Sequence, residues 1–388
     1  MISLKHTLLK TMSFVYRNFI PRDIQKIMYP LVCFIYSFVH RIYSICLDVY
    51  PTVSLLKEGG SQNNVSPSFL VAGRRRDSAF LLNKIYREEP EATRLGRMLV
   101  WKIPFLDKSP INATLIEADR CFSPFFARRG FFAIPEWVLF TMDISMPIEK
   151  VTRLCMSNRN NFRKIRKYSY QYEVGFDKEK LHLFYHTMYL PYICSRHGKL
   201  TVLTTLNQME DLLQKGELLL VKRGDKYVAG QLIYKASPVP IVSYLGVKDG
   251  NFDLVKQGAV FALYYYTILW AKEKGYTKLD FGHCRSFLND GIFLFKKRLG
   301  MRVQRSPRKH RILYLSVKSI NPYLEQFFAN NPLVHEDQGV LKGLLFVQKD
   351  DPSIKEAVET SSRKYSIPGL AGFTVVLPDG TTIETSKP

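Results

Sequence analysis

The sequence predicts an α/β chain: a mixed sheet with flanking helices, preceded by a helical N-terminal segment. Three observations predict it. Segments 217–222, 227–235 and 241–247 are rich in β-favouring residues, and Arg223-Gly224-Asp225-Lys226 forms a hairpin turn between the first two. From about Gln257 to Lys274, Phe261, Tyr264, Tyr265, Ile268, Leu269 and Ala271 recur at helical spacing, and Gly275 stops the run. A short strand, 278–282, then precedes a helix-like run ending in Phe295-Lys296-Lys297-Arg298-Leu299-Gly300 and a basic strand region, 301–317.

Composition bounds the partners. At 388 residues and 46% hydrophobic, the chain is long enough for two packed cores and is not a disordered polymer. Its formal charge of +22 attracts polyanions: nucleic acid, acidic lipid headgroups or a phosphate-bearing cofactor. The excess is spread over both halves, which fits solvated faces as well. Cys33, Cys46, Cys121, Cys155, Cys194 and Cys284 lie far apart with no CxxC pair, so neither a metal site nor a disulfide framework is expected. A reducing, cytoplasmic setting follows, with each cysteine read as a small buried hydrophobe.

Residues 1–60 form a separate zone. Lys5, Lys10, Arg17, Arg22 and Lys26 precede an aromatic-rich stretch, 27–50, that Pro30, His40 and Arg41 make too short to span a bilayer. An amphipathic helix pair is expected, lying on an anionic membrane surface at the inner face or else capping the globular core. A polar linker, 58–67, follows. Further on, 113–117 is an apolar run and 122–132 is basic and aromatic, while 137–143 alternates as a strand. Pro147 starts a helix over 148–168 whose polar face carries Arg153, Arg159, Arg163, Lys164, Arg166 and Lys167. A second helix runs from Lys178 to about Cys194, kinked or ended by Pro191. Near the C-terminus, Pro378-Asp379-Gly380 forms a hairpin turn between strands within 372–386.

From about Lys215 to about Val303 the order is a β-meander, a long helix, a strand, a helix and a strand. The local text is Gly216-Glu217-Leu218-Leu219-Leu220, Val228-Ala229-Gly230, Tyr244-Leu245-Gly246, Trp270-Ala271-Lys272-Glu273-Lys274-Gly275-Tyr276, Asp280-Phe281-Gly282 and the Phe295 to Gly300 run. In this joint order the chain resembles GNAT-superfamily acyltransferases, in the FemAB-like and BioF2-like branch. The resemblance implies two tandem GNAT-like halves, 68–200 and 201–320, with the acyltransferase domain second and residues 321–388 as an extension. It further implies an N-acyltransferase that moves an acyl group from acyl-CoA, acetyl-CoA above all, to an amine of a sugar, amino acid or cell-envelope precursor. Members of the FemAB branch that use aminoacyl-tRNA give a second donor, tRNA-borne. A non-catalytic membrane-surface or polyanion-binding protein on the same frame is a third reading.

The resemblance also implies a strand that splays from its neighbour and a helix start whose N–H groups meet the donor's pyrophosphate. A helix N-terminus carries unpaired donors and the positive end of its dipole, so it suits an anion. Here that start is Lys256-Gln257-Gly258-Ala259: Gly258 permits close approach and Lys256 adds a charge. Val255 and Val260 depart from the usual acetyl-CoA signature at its outer positions, which keeps the tRNA donor open.

Acyl transfer to an amine needs a bound thioester or ester, a deprotonated nucleophile and donors facing the oxyanion. His283, at a strand end, is a candidate base, with a hydrogen-bonded loop role as its alternative. Tyr244 is a candidate acid for the leaving thiolate, against plain packing; Asp280 orients a partner or caps a helix. For the acceptor, Arg285, Asp290 and Lys296 suit a phosphate or carboxylate site, although Asn289-Asp290-Gly291 is also ordinary turn chemistry. Tyr189, Tyr192, Arg196 and His197 form a polar-aromatic cluster on the acceptor side.

Overall fold

A computed structural model describes residues 22–57, 67–74, 78–86, 88–106, 111–154, 159–197, 203–235, 238–348 and 354–386. In chain order the first five strands are β1 (Thr52–Lys57), β2 (Phe69–Ala72), β3 (Glu91–Arg97), β4 (Ala113–Asp119) and β5 (Phe132–Pro135). The next seven are β6 (Val138–Asp143), β7 (Tyr170–Gly175), β8 (Gly216–Arg223), β9 (Lys226–Tyr234), β10 (Ile241–Val247), β11 (Lys278–Cys284) and β12 (Arg302–Arg305). The last five are β13 (Arg311–Val317), β14 (Leu333–Asp337), β15 (Val340–Phe346), β16 (Gly372–Val376) and β17 (Thr382–Ser386). The first and last groups interleave into a ten-stranded sheet, ordered β17-β16-β15-β14-β5-β13-β4-β2-β1-β3. The middle seven form the second sheet, β12-β6-β11-β10-β9-β8-β7. The fold is α/β, and the second sheet follows the meander, helix, strand, helix, strand order of its sequence.

Local chemistry explains the middle sheet. β8 and β9 pair antiparallel across Gly224, whose φ of 58° suits a tight turn. The long helix Ala259–Glu273 buries Phe261, Leu263, Tyr266, Ile268 and Trp270 on the sheet. It ends in a Schellman cap: Gly275 at φ 78° donates to the Lys272 carbonyl and Tyr276 to that of Ala271. Helix Gly291–Arg298 follows, with Asp290 as its N-cap accepting from the Ile292 and Phe293 amides.

Several expectations are refined. The basic segment 148–168 contains two helices, Ile148–Leu154 and Arg159–Lys167, with 155–158 outside the described residues. Pro191 does not end its helix. Lys178–Phe184 widens into a π-turn over Tyr185–Tyr189 and continues as Leu190–His197. Pro191 has no N–H to offer the carbonyl four residues back and crowds it, and a wider turn accommodates both defects. The basic region 301–317 is divided between the sheets, β12 in one and β13 in the other. The segment after 321 supplies β14–β17, including the β16–β17 hairpin around Gly380.

The N-terminal helix, Arg22–Val49, docks on the ten-stranded sheet at its C-terminal end. Arg41 grips Asp119 with two nitrogens, at 3.1 and 3.0 Å, and Asp48 pairs with Arg311 and accepts from the Asp119 amide. Residues 41–49 therefore cap the core. Among the described residues no helix is long and apolar enough to cross a membrane. Residues 1–21 and 58–66, which carry Lys5, Lys10, Arg17 and most of the polar linker, lie outside the described residues.

Cysteine placement corrects one expectation. Cys284 is buried, but Cys46, Cys121 and Cys194 are exposed free thiols. Cys46 and Cys194 sit on helices with outward faces, and Cys121 follows the end of β4, where desolvation and Asp119 push its thiol up to about 11. Cys33 and Cys155 lie outside the described side chains.

Candidate functional site

The site begins with a defect in the sheet. β10 pairs antiparallel with β9, but the register shifts between Ser243 and Gly246, and Tyr244 takes a left-handed φ of 50°. On its other side β10 meets β11 in parallel at one register position, Ile241 opposite Asp280. Among the described residues no further register position joins the two strands. A Cβ on Gly246 would lie 2.5 Å from the backbone of Met188 and Tyr189, so glycine lets the π-turn rest directly on β10.

The chain leaving β10 passes a short helix, Phe252–Lys256, and turns at Gly258, φ 94°, into the long helix. Gly258 has no side chain to cap the helix, and its carbonyl accepts from Ala262. Cations from several elements approach this start. A side chain on Gly258 would come within 3.3 Å of the Lys164 Cβ, and Arg223 donates to Gln257 Oε1 at 3.1 Å. Lys256 is exposed, 3.3 Å from Asp253 and over the Phe252 ring, while Ala259 is buried in the first turn.

Beside these strands lies a polar cluster. Asp280 is buried; its Oδ1 accepts from the Gly282 amide and its Oδ2 pairs with Arg308 at 2.5 Å. His283 Nε2 meets Ser306 Oγ at 2.8 Å. Ser306 Oγ accepts from the amides of Arg308 and Lys309, so its own proton goes to His283. The imidazole is thus an acceptor at Nε2 and carries its proton on Nδ1. Burial, with Arg308 nearby, pushes its pKa down to about 4, so it is neutral at pH 7. Tyr234 faces the same cluster: burial raises its pKa, with Tyr244 and Asp280 adding to the rise and Arg308 opposing it. The Tyr189 ring packs edge-on to that of Tyr244 at 6.0 Å.

This constellation unites Tyr244, Asp280, His283 and Tyr189 with three residues that the sequence reading missed, Tyr234, Ser306 and Arg308. Ser306-Pro307-Arg308 was read as part of a basic strand; the Ser-Pro pair between β-favouring runs is a break signal that could have placed a turn there. The other acceptor candidates lie apart. Arg285 pairs with Glu136 at 2.7 Å and stacks over Trp137 and Phe80. Asp290 is occupied as a helix cap. Lys296 is buried, its Nζ donating to the Phe281 carbonyl at 2.7 Å, which fixes the β11 backbone from behind. Tyr192 packs against the core around the long helix, whereas Tyr189 belongs to the opposite core. The helix bearing both therefore touches two cores. Arg196 stacks over Tyr192 and Phe252, and the His197 side chain lies outside the described residues.

No family model matches the chain, and no curated protein matches it either. Solved structures that match the chain include L-PGS from Bacillus licheniformis, 14% identical over 68% of this chain and 81% of that one, with a TM-score of 0.34. FemX is 15% identical, with 71% and 86% covered and a TM-score of 0.35. A GCN5-related N-acetyltransferase from Kribbella flavida is 8% identical, with 90% and 83% covered and a TM-score of 0.29. Similarity at this level identifies neither a substrate nor a catalytic residue.

Proposed function

We propose that this chain is an N-acyltransferase that moves an acyl group from acyl-CoA to an amine of a sugar, amino acid or cell-envelope precursor. The observation that supports it is the end of pairing between β10 and β11 after one register position, Ile241 opposite Asp280, beside a helix start where the Lys164 stem lies against Gly258 and Arg223 meets Gln257. Such a start suits the donor's pyrophosphate, and the unpaired strand edges suit its thioester arm. The amine nitrogen bonds the acyl carbon as the C–S bond breaks. In this reading Tyr244 gives the leaving thiolate its proton, the Ser306 hydroxyl takes the proton lost by the amine as it hands its own to Nε2 of neutral His283, and the Asp280–Arg308 pair orients the acceptor. Calorimetry with acetyl-CoA tests it: binding is expected for the native chain and at least tenfold weaker binding for Gly258→Glu. No heat with any acyl-CoA would overturn the CoA donor.

A second donor, aminoacyl-tRNA, is favoured by Val255 and Val260 at the helix start and by the chain's charge of +22. Sequencing of copurified RNA distinguishes the two, since enrichment of one tRNA species is expected only with the tRNA donor. The composition of residues 1–60 also supports contact with an anionic bilayer from its cytoplasmic side. Flotation with phosphatidylglycerol vesicles that is unaffected by deleting residues 1–40 would remove this part.

A further inference from the structure

An open cavity of about 570 Å³ lies beside the connector that follows β10. Its walls are the β8–β9 hairpin, the π-turn 185–189 with the residues before it, and residues 248–254. Volumes in this range hold small organic ligands. The floor is apolar, made by Leu183, Met188, Val228 and Leu254, with Met188 and Val228 buried.

The rim carries three cations and one carboxylate, Asp249. Arg223, Lys226 and Lys248 reach it from two separate segments. Arg223 and Lys226 are register partners at the end of the hairpin, a placement of like charges that disfavours the pair unless an anion meets it. Of the carboxylates nearby, Asp249 sits 3.6 Å from Lys248, and Glu173 is already taken by Lys180, Lys222 and the Tyr227 hydroxyl. Asp225, in the hairpin turn, is not part of the lining. Two local conformations that cost free energy also meet here. Asp249 is left-handed at φ 53°, and the π-turn brings Thr187 and Met188 to the wall.

We propose that this cavity binds a phosphate-headed amphiphile, the phosphate held by Arg223, Lys226 and Lys248 and the apolar part lying on Met188 and Val228. The cavity shares Arg223 with the helix start of the donor reading, whereas Lys226, Lys248 and the apolar floor belong to the cavity alone. A rim of two flexible lysines and one arginine fork suits a phosphate, and the apolar floor suits what the phosphate carries.

The test is calorimetry on the full chain with hexyl phosphate, inorganic phosphate and hexanol. Hexyl phosphate is expected to bind at least tenfold more tightly than either. Lys226→Glu, at an exposed rim position, is expected to weaken it at least tenfold, and Thr187→Trp to block it by filling the space. Lys278→Glu, remote from the cavity, is expected to leave it unchanged. Equal binding of inorganic phosphate, or equal loss in Lys278→Glu, would overturn the proposal, as would no binding of hexyl phosphate. Vesicles distinguish the source: phosphatidylglycerol vesicle binding lost in Lys226→Glu assigns a lipid headgroup, and hexyl phosphate binding without vesicle binding assigns a free phosphorylated compound. Gly258→Glu, which removes the donor cradle, is expected to retain hexyl phosphate binding, so the two readings fail separately.

Discussion

His283 and His335 both meet a hydroxyl through Nε2, yet they hold opposite tautomers. Ser306 accepts from two amides and must donate to His283. Thr374 gives its one proton to Glu384, so it must accept from His335, 2.8 Å away. Burial pushes both histidines down to about 4. In the unfolded chain they take up protons near pH 6.5, while the folded protein resists until about pH 4. The unfolded state thus binds more protons in this window, and stability must fall as pH drops from 6.5 to 4. For His335, 4% exposed, the loss amounts to roughly 3 kcal/mol at most. Urea unfolding across this range should show the slope, and His335→Gln should flatten it. Glu173 behaves separately: Lys180, Lys222 and Tyr227 hold it down to about 2 against its burial, so its contribution is lost only below about pH 4.5. At the same scale, Arg308→Ala should lower kcat/KM of the proposed transfer by roughly ten- to hundredfold, as loss of a group that orients the acceptor does. Arg308→Lys should recover part of it. Asp280 is only 9% exposed, so Arg308→Ala, which leaves its carboxylate without that partner, should also lower Tm, and Arg308→Lys should restore it.

Elements whose pairing is local were readable in the sequence, and those made by distant contacts were not. The β8–β9 hairpin, the long helix and its Gly275 stop follow from alternation, period and a turn residue within a few positions of each other. The π-turn over Tyr185–Tyr189 left only one trace, Pro191, because the reason for a wide turn lies in what it must rest on. That surface is Gly246, 57 positions later along the chain by number. Gly246→Ala would drive a Cβ into the backbone of Met188 and Tyr189, neither of which can yield as a side chain would. A loss of about 2 kcal/mol or more is expected in denaturant melts. Asp290→Ala, which removes a cap accepting two amides, should cost about 1 kcal/mol. Likewise, Tyr244 and Asp280 could be picked from the sequence because they lie on recognisable strands. Arg308 and Ser306 could not, since nothing in a basic run marks which cation turns back toward β11.

At the scale of the whole molecule the chain closes on itself. β13 lies between β4 and β5, and β14 takes the other edge of β5, so residues from both ends complete one sheet. Composition bounds how much core the chain can bury, but the interleaving depends on pairings as distant as Val317 with Ala113, which no local period encodes. A chain truncated after residue 320 would lose β14–β17 and with them Leu333, Leu344, Phe346 and Phe373 from the cores. Loss of cooperative unfolding is expected, read by near-ultraviolet circular dichroism and calorimetry.

The connector Ser306–His310 carries a further consequence. It is the short bridge from β12 in one sheet to β13 in the other, and it bears both the hydroxyl that fixes the His283 ring and the guanidinium that holds Asp280. Glu136–Trp137, between β5 and β6, makes another direct crossing, so the aim of Asp280 and His283 depends on a segment anchored in both layers.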